Sequence, residues 1–116
     1  MLTLGPAKKV TIHLNEDTSS SHNFLYREIF TFLLEQGVSG ATLIRPDAGF
    51  GTHQRIHWQH AEGAEGQHLP VRIEFIETPE RFHALLPELF RLTTDGLIEA
   101  HDTTILKLAT TEPAPL

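Results

Sequence analysis

Two alternating stretches, KKVTIHL at 8–14 and LPVRIEFIE at 69–77, constrain this chain more than any other feature. In the first, Val10, Ile12 and Leu14 face one way and Lys9, Thr11 and His13 the other. In the second, Val71, Ile73 and Phe75 alternate with Arg72, Glu74 and Ile76. A period of two is the mark of a half-buried strand, so each stretch needs a cover for one face. Each is followed by an amphipathic helix that can supply it. The first helix spans roughly 22–37, with an apolar stripe of Leu25, Tyr26, Ile29, Phe30, Phe32 and Leu33 at helical spacing. Ser20 or Ser21 reads as its N-cap and Gly37 as its stop. Thr78-Pro79-Glu80 starts the second helix, with Thr as N-cap and Pro at the first helical position. Its apolar face is Phe82, Leu85, Leu86, Leu89 and Phe90. Pro87 inside it predicts a kink, and Gly96 ends it.

The remaining strands complete the order. ATLIRP follows Gly40 and ends at Pro46, and a last strand runs through 97–108, where His101 and Asp102 point to a bulge or bend. The sequence β-α-β-β-α-β is the split βαβ plan. It predicts an α+β, ferredoxin-like fold: an antiparallel four-stranded sheet with two helices on one face. Ile44, Ile76 and either Leu106 or Leu108 fall on the side opposite their strand-mates. A sheet that is apolar on both faces needs a second cover, which predicts an oligomer closed over the open face.

Composition narrows the class. A chain of 116 residues and 13.0 kDa makes one domain, residues 1–116, with a core over about 8–108 and a disordered tail at 109–116. There is no Cys, so disulfides, thiolate metal sites and cysteine nucleophiles are excluded. No apolar run approaches a membrane span and the N-terminus lacks a signal-peptide pattern, so the expected location is cytoplasmic. A net charge of −6 lacks the electrostatic footprint of a protein that binds nucleic acid polymers. Full protonation of the eight His would move that charge to +2, so the surface field depends on pH.

The long stretch 47–68 is the expected functional segment. It exceeds an ordinary connection and holds half of the glycines and half of the histidines. Gly49-Phe50-Gly51 offers backbone N–H groups to an anion and an aromatic ring to a base; it also reads as a glycine turn with Phe50 tucked over the core. Arg45 and Arg55 flank this turn, and Arg is the natural donor to phosphate or carboxylate; either also reads as one half of an ordinary ion pair. His57 completes the RIH string. His53, His57 and His60 would share one face of a helical turn and hold a divalent metal such as Zn, Cu or Ni; in extended chain only His53 and His57 share a face. Solvated histidines in a polar loop are the plainer reading. Nothing equips the chain as an enzyme: there is no GxSxG turn, HExxH, phosphate-binding loop or dinucleotide fingerprint.

The strings LYREI, GVSGATLIRPDAGFG, RIH at 55–57, LPVRIEFIE, LLPEL and DGLIEAHD, in that order over about 8–108, resemble the PII-like superfamily of trimeric signalling proteins. Within it they are most similar to the family catalogued as domain of unknown function one-ninety. The resemblance implies a homotrimer with sheets facing the threefold axis. It implies small effectors, commonly adenine nucleotides, in clefts between subunits. It also implies a loop, here 47–68, that contacts protein targets such as a membrane transporter. The related CutA-type proteins share the fold and are linked to divalent metals. One departure is plain. Where PII proteins carry a glycine-rich, basic phosphate loop after the second helix, this chain reads LTTDGLIEAHD, from which a triphosphate gains little. The resulting expectation is a regulatory protein, not an enzyme. It binds a small anionic effector through Arg45, Gly49, Phe50, Gly51, Arg55 and His57, and loop 47–68 switches partner binding. The alternative is a divalent-metal-responsive protein using His53, His57 and His60.

Overall fold

The computed structural model describes residues 1–16, 18, 24–50, 54, 56–58 and 69–109, with 57 and 58 given by backbone alone. The elements are β1 (Gly5–Asn15), α1 (Leu25–Glu35), β2 (Ala41–Ile44), β3 (Ala48–Gly49), β4 (His57–Trp58), β5 (Pro70–Glu77), α2 (Pro79–Leu92) and β6 (Leu97–Ile105). Four strands form one sheet in the order β2-β5-β1-β6, every neighbouring pair antiparallel. Both helices pack on one face, giving the ferredoxin-like plan read from the sequence.

The register explains why the two alternating stretches dominate. Leu43 pairs with Ile73, Ile73 with Ile12 and Ile12 with Ile98, an apolar row crossing all four strands on the helix side. Val10 and Phe75 pair in the next row. Leu25, Tyr26, Ile29 and Leu33 of α1 and Phe82, Leu85 and Leu89 of α2 close over these rows. A slip of one residue would turn every one of these side chains to the other face, so the core fixes the pairing.

On the opposite face Ile44 pairs with Arg72, Arg72 with His13 and His13 with Leu97; Thr42, Glu74, Thr11 and Glu99 form the next row. Ile44 and Ile76 do lie on this open face, half-buried. Leu106 and Leu108 do not share it as strand residues, because β6 ends at Ile105.

The helix ends show which local signals govern. Thr78 caps α2, its Oγ1 accepting from the Arg81 N–H at 3.3 Å, with Pro79 in the first turn. The helix runs on through Pro87 as one element. Phe90, placed on its buried face by spacing, is 62% exposed. α1 starts at Leu25 with Phe24 in the cap position, not at 22 with a serine cap. Its first N–H, that of Leu25, is taken by the Thr18 carbonyl at 2.8 Å, so the chain returning from β1 does the work of a cap. At the other end Gly37 takes φ +76°, and Gly37 and Val38 donate back to Leu34 and Leu33 in a Schellman closure.

One buried charge ties the helices together. Glu77 is fully buried; its Oε1 accepts from the Thr78 N–H at 2.8 Å and its Oε2 lies 4.0 Å from Arg81 Nε. Arg81 also donates to the Gln36 carbonyl just beyond α1. The start of α2 is thereby fixed to the end of α1.

The apolar row makes a direct prediction. Ile73→Ala, at a fully buried position, is expected to lower unfolding free energy by about 2–5 kcal/mol. Urea denaturation measures it; a loss under about 1 kcal/mol would contradict the central place of this row.

Candidate functional site

The pairing places the ends of three strands together. β5 lies between β2 and β1. Continuing the register past Ile44↔Arg72 and Asn15↔Pro70 sets Arg45 beside Val71 and Glu16 beside Leu69. Parity puts both on the helix side of the sheet, since Leu43 and Leu14, two residues earlier on the same strands, are there. The Glu16 N–H donates to the Leu69 carbonyl at 2.8 Å, continuing the ladder.

Arg45 and Glu16 form an ion pair across the root of β5. The first turn of α1 closes over them. Arg45 Nη2 donates to the Tyr26 hydroxyl at 3.3 Å, and Arg27 Nε donates to the same oxygen at 3.1 Å. The two guanidinium carbons lie 5.5 and 5.7 Å from the Tyr26 ring centroid, within cation–π range. Phe24 stacks on the buried Tyr26 with ring centroids 6.1 Å apart and planes 13° from parallel. Tyr26 therefore orients two cations at the point where the 46–69 segment leaves and re-enters the sheet.

Within that segment β3 and β4 form a short antiparallel ribbon, Ala48 opposite Trp58 and Gly49 opposite His57. The stretch 47–68 is thus not a structureless loop. Gly49 is required where it stands: a Cβ there would fall 2.6 Å from Pro70 Cγ, so only glycine lets the ribbon seat against the start of β5. Phe50 is 65% exposed. It does not tuck over the core but presents its ring outward, as a stacking surface would.

Of the residues singled out in the sequence, the structure places Arg45, Gly49 and Phe50 at this root and His57 opposite Gly49 by backbone. Gly51, Arg55, His53 and His60 lie outside the described residues. His57 is in extended chain, so the helical arrangement of His53, His57 and His60 does not hold at that position. Among the described residues no group of three or more His, Asp or Glu side chains could hold a metal ion, and no helix is long and apolar enough to cross a membrane. Sequence reading missed Glu16 and Arg27 as site residues, and it placed Tyr26 only on the apolar stripe of the first helix.

The open sheet face carries a separate charged cluster. Glu99 stands between two imidazoles: His101 Nε2 is 3.2 Å from its Oε1 and His13 Nε2 is 3.7 Å from its Oε2. The hydrogen bond with His101 is the main cause that holds the Glu99 carboxyl below its ordinary range; desolvation opposes it, and the charges of His13 and His101 lower it further.

The profile of the DUF190 family, described as Uncharacterized ACR, matches residues 7–105. The chain belongs to this family. It is 29% identical to the UPF0166 protein MJ1524 of Methanocaldococcus jannaschii over 107 residues, 91% of this chain and 97% of that one. It is 30% identical to a UPF0166 protein of Aquifex aeolicus over 101 residues, 87% of this chain and 94% of that one. The fold is that of the PII-like proteins. CPII, a nitrogen regulatory PII-like protein from Thiomonas intermedia K12 solved bound to ADP, AMP and bicarbonate, superposes with a TM-score of 0.61. The identity is 24%, over 90% of this chain and 92% of that one. The apo form of CPII gives 0.58 at 19% identity, over 90% of this chain and 97% of that one.

The acid side of the Glu99 cluster is testable. A carboxyl lowered on folding adds stability above its unfolded pKa, and that stability is lost as pH falls through the folded value. Carboxyl NMR should find Glu99 titrating below the ordinary glutamate range, and His101→Ala should move it back up. An ordinary titration in the wild-type protein would contradict the contact.

Proposed function

We propose that this protein is a PII-like regulator that binds a small anionic effector, an adenine nucleotide, at the root of the 46–69 segment. Arg45 supplies the charge, with Gly49, Phe50, Gly51, Arg55 and His57 as the further contacts. The site lies in the cleft between subunits of a homotrimer closed over the open sheet face, where Ile44, Ile76 and the exposed Leu97 await a cover. Effector binding changes the arrangement of residues 47–68, and this engages or releases a protein partner such as a membrane transporter. Mechanistically, the effector selects whichever arrangement binds it better, and the partner reads that choice. The setting is the cytoplasm.

The observation that carries this reading is Arg45. It is oriented by a buried tyrosine at the one point through which both ends of the 46–69 segment pass, and a half-exposed guanidinium so held is a ready anion receptor. The fold supports the choice of effector, because the PII-like protein that shares it was solved with ADP, AMP and bicarbonate. The exposed Phe50 supplies the stacking surface that an adenine needs. The acidic 92–102 segment offers nothing to a triphosphate, which favours the mono- and diphosphates.

The test is a thermal-shift series on chelator-treated protein with ADP, AMP, bicarbonate and Zn²⁺ separately. A ligand at a hundred times its dissociation constant stabilises the folded state by about 2.7 kcal/mol. A nucleotide shift is expected, and Arg45→Ala should weaken the affinity about tenfold or more, as loss of a hydrogen bond to a charged group does. No nucleotide shift, or one that Arg45→Ala leaves intact, would overturn the assignment. A shift with Zn²⁺ alone would move the function to His53, His57 and His60.

A further inference from the structure

We infer that Glu16 is a built-in competitor for the effector: its carboxylate occupies Arg45 when the site is empty, and an incoming anion must displace it. This rests on the reading of Arg45 as the anion receptor and adds the means by which that receptor is regulated. Among the described residues Arg45 has two polar partners, and they differ in kind. Tyr26 is buried and also held by Arg27, so the contact from its hydroxyl fixes where the guanidinium sits without neutralising it. Glu16 is half-buried and, among the described residues, brings the charge that neutralises it. A carboxylate offers Arg the same planar pair of oxygens as bicarbonate, and much the same as a phosphate edge. While Glu16 holds the guanidinium, an effector meets a neutral pair; once Glu16 is displaced, it meets a cation already aimed by Tyr26.

The location gives this exchange a consequence. The Glu16 backbone is bonded to Leu69, the last residue before β5, and Arg45 is the first residue after β2. The ion pair therefore stitches the two ends of the 46–69 segment across β5. Displacing Glu16 from Arg45 opens that stitch at the moment the effector binds, so occupancy of the site and the state of the segment's root are coupled through one pair of side chains. A half-exposed ion pair is worth little in itself, so the competition is mild and reversible, as a sensor requires.

The experiment is an ADP titration by calorimetry at fixed pH and ionic strength on wild type, Glu16→Gln, Glu16→Ala and the double variant Glu16→Gln/Arg45→Gln. The backbone bond from Glu16 to Leu69 survives these substitutions, and a melting curve for each verifies the fold. Both single variants are expected to bind ADP about two- to fivefold more tightly than wild type. The gain should vanish in the double variant, because it acts only through Arg45. Wild type that binds ADP with Glu16→Gln and Glu16→Ala equal to it or weaker would overturn the competitor role and leave the effector site standing. Binding by the single variants but not by wild type would support the competitor role in its strongest form. Absence of binding in all four would overturn the effector site and the competitor with it.

Discussion

The row Leu43, Ile73, Ile12, Ile98 is the constraint on which the rest depends. It is one side chain from each strand of the sheet, all on the face the helices cover, with Ile12 and Ile73 fully buried. Four β-branched or branched residues in register bury a continuous apolar strip. Because side chains alternate, that strip admits a single pairing of the strands. Every other placement follows by counting along the strands.

Counting outward leads to the site. Two residues past Ile12 is Leu14 and two more is Glu16; two past Leu43 is Arg45. Each stays on the helix side by the same parity that buries the isoleucines. The acidic and basic side chains thus arrive on the same face, from the two strands that flank β5, at the end of the sheet. Tyr26 arrives from above because Leu25, Ile29 and Leu33 hold α1 against the strip. Core packing and site geometry are one construction: the hydrophobic register sets a charged junction at the strand ends without any local motif for it. Gly49 and Pro70 then bring the β3–β4 ribbon to the same junction by close approach of backbone.

This also explains what could and could not be read from the residues alone. The alternation at 8–14 and 69–77 identified β1 and β5, and Thr78-Pro79 located α2, because those signals are local. The ribbon of β3 and β4 has two residues per strand, too few for any period to show. The start of α1 at Leu25 depends on the Thr18 carbonyl, a contact set by how the chain returns from β1 and not by the serines that resemble caps. Phe90 lies on the apolar stripe by spacing yet is exposed, while its neighbour Leu89 is fully buried. Arg45 was visible as a cation beside a glycine turn. Its partners were not, since Glu16 and Tyr26 lie 29 and 19 residues away and meet it only through the strand register and the seating of α1 on the sheet. Glu99 likewise sits between His13 and His101 only because β6 pairs with β1.

The most direct measurement is a map of amide and guanidinium NMR shifts in full-length protein titrated with ADP. The account predicts that the largest changes fall on Arg45, Tyr26, Glu16 and Gly49, where three strand ends and the first turn of α1 converge. Changes concentrated instead on the open sheet face, around His13, Glu99 and His101 and sparing Arg45, would contradict it.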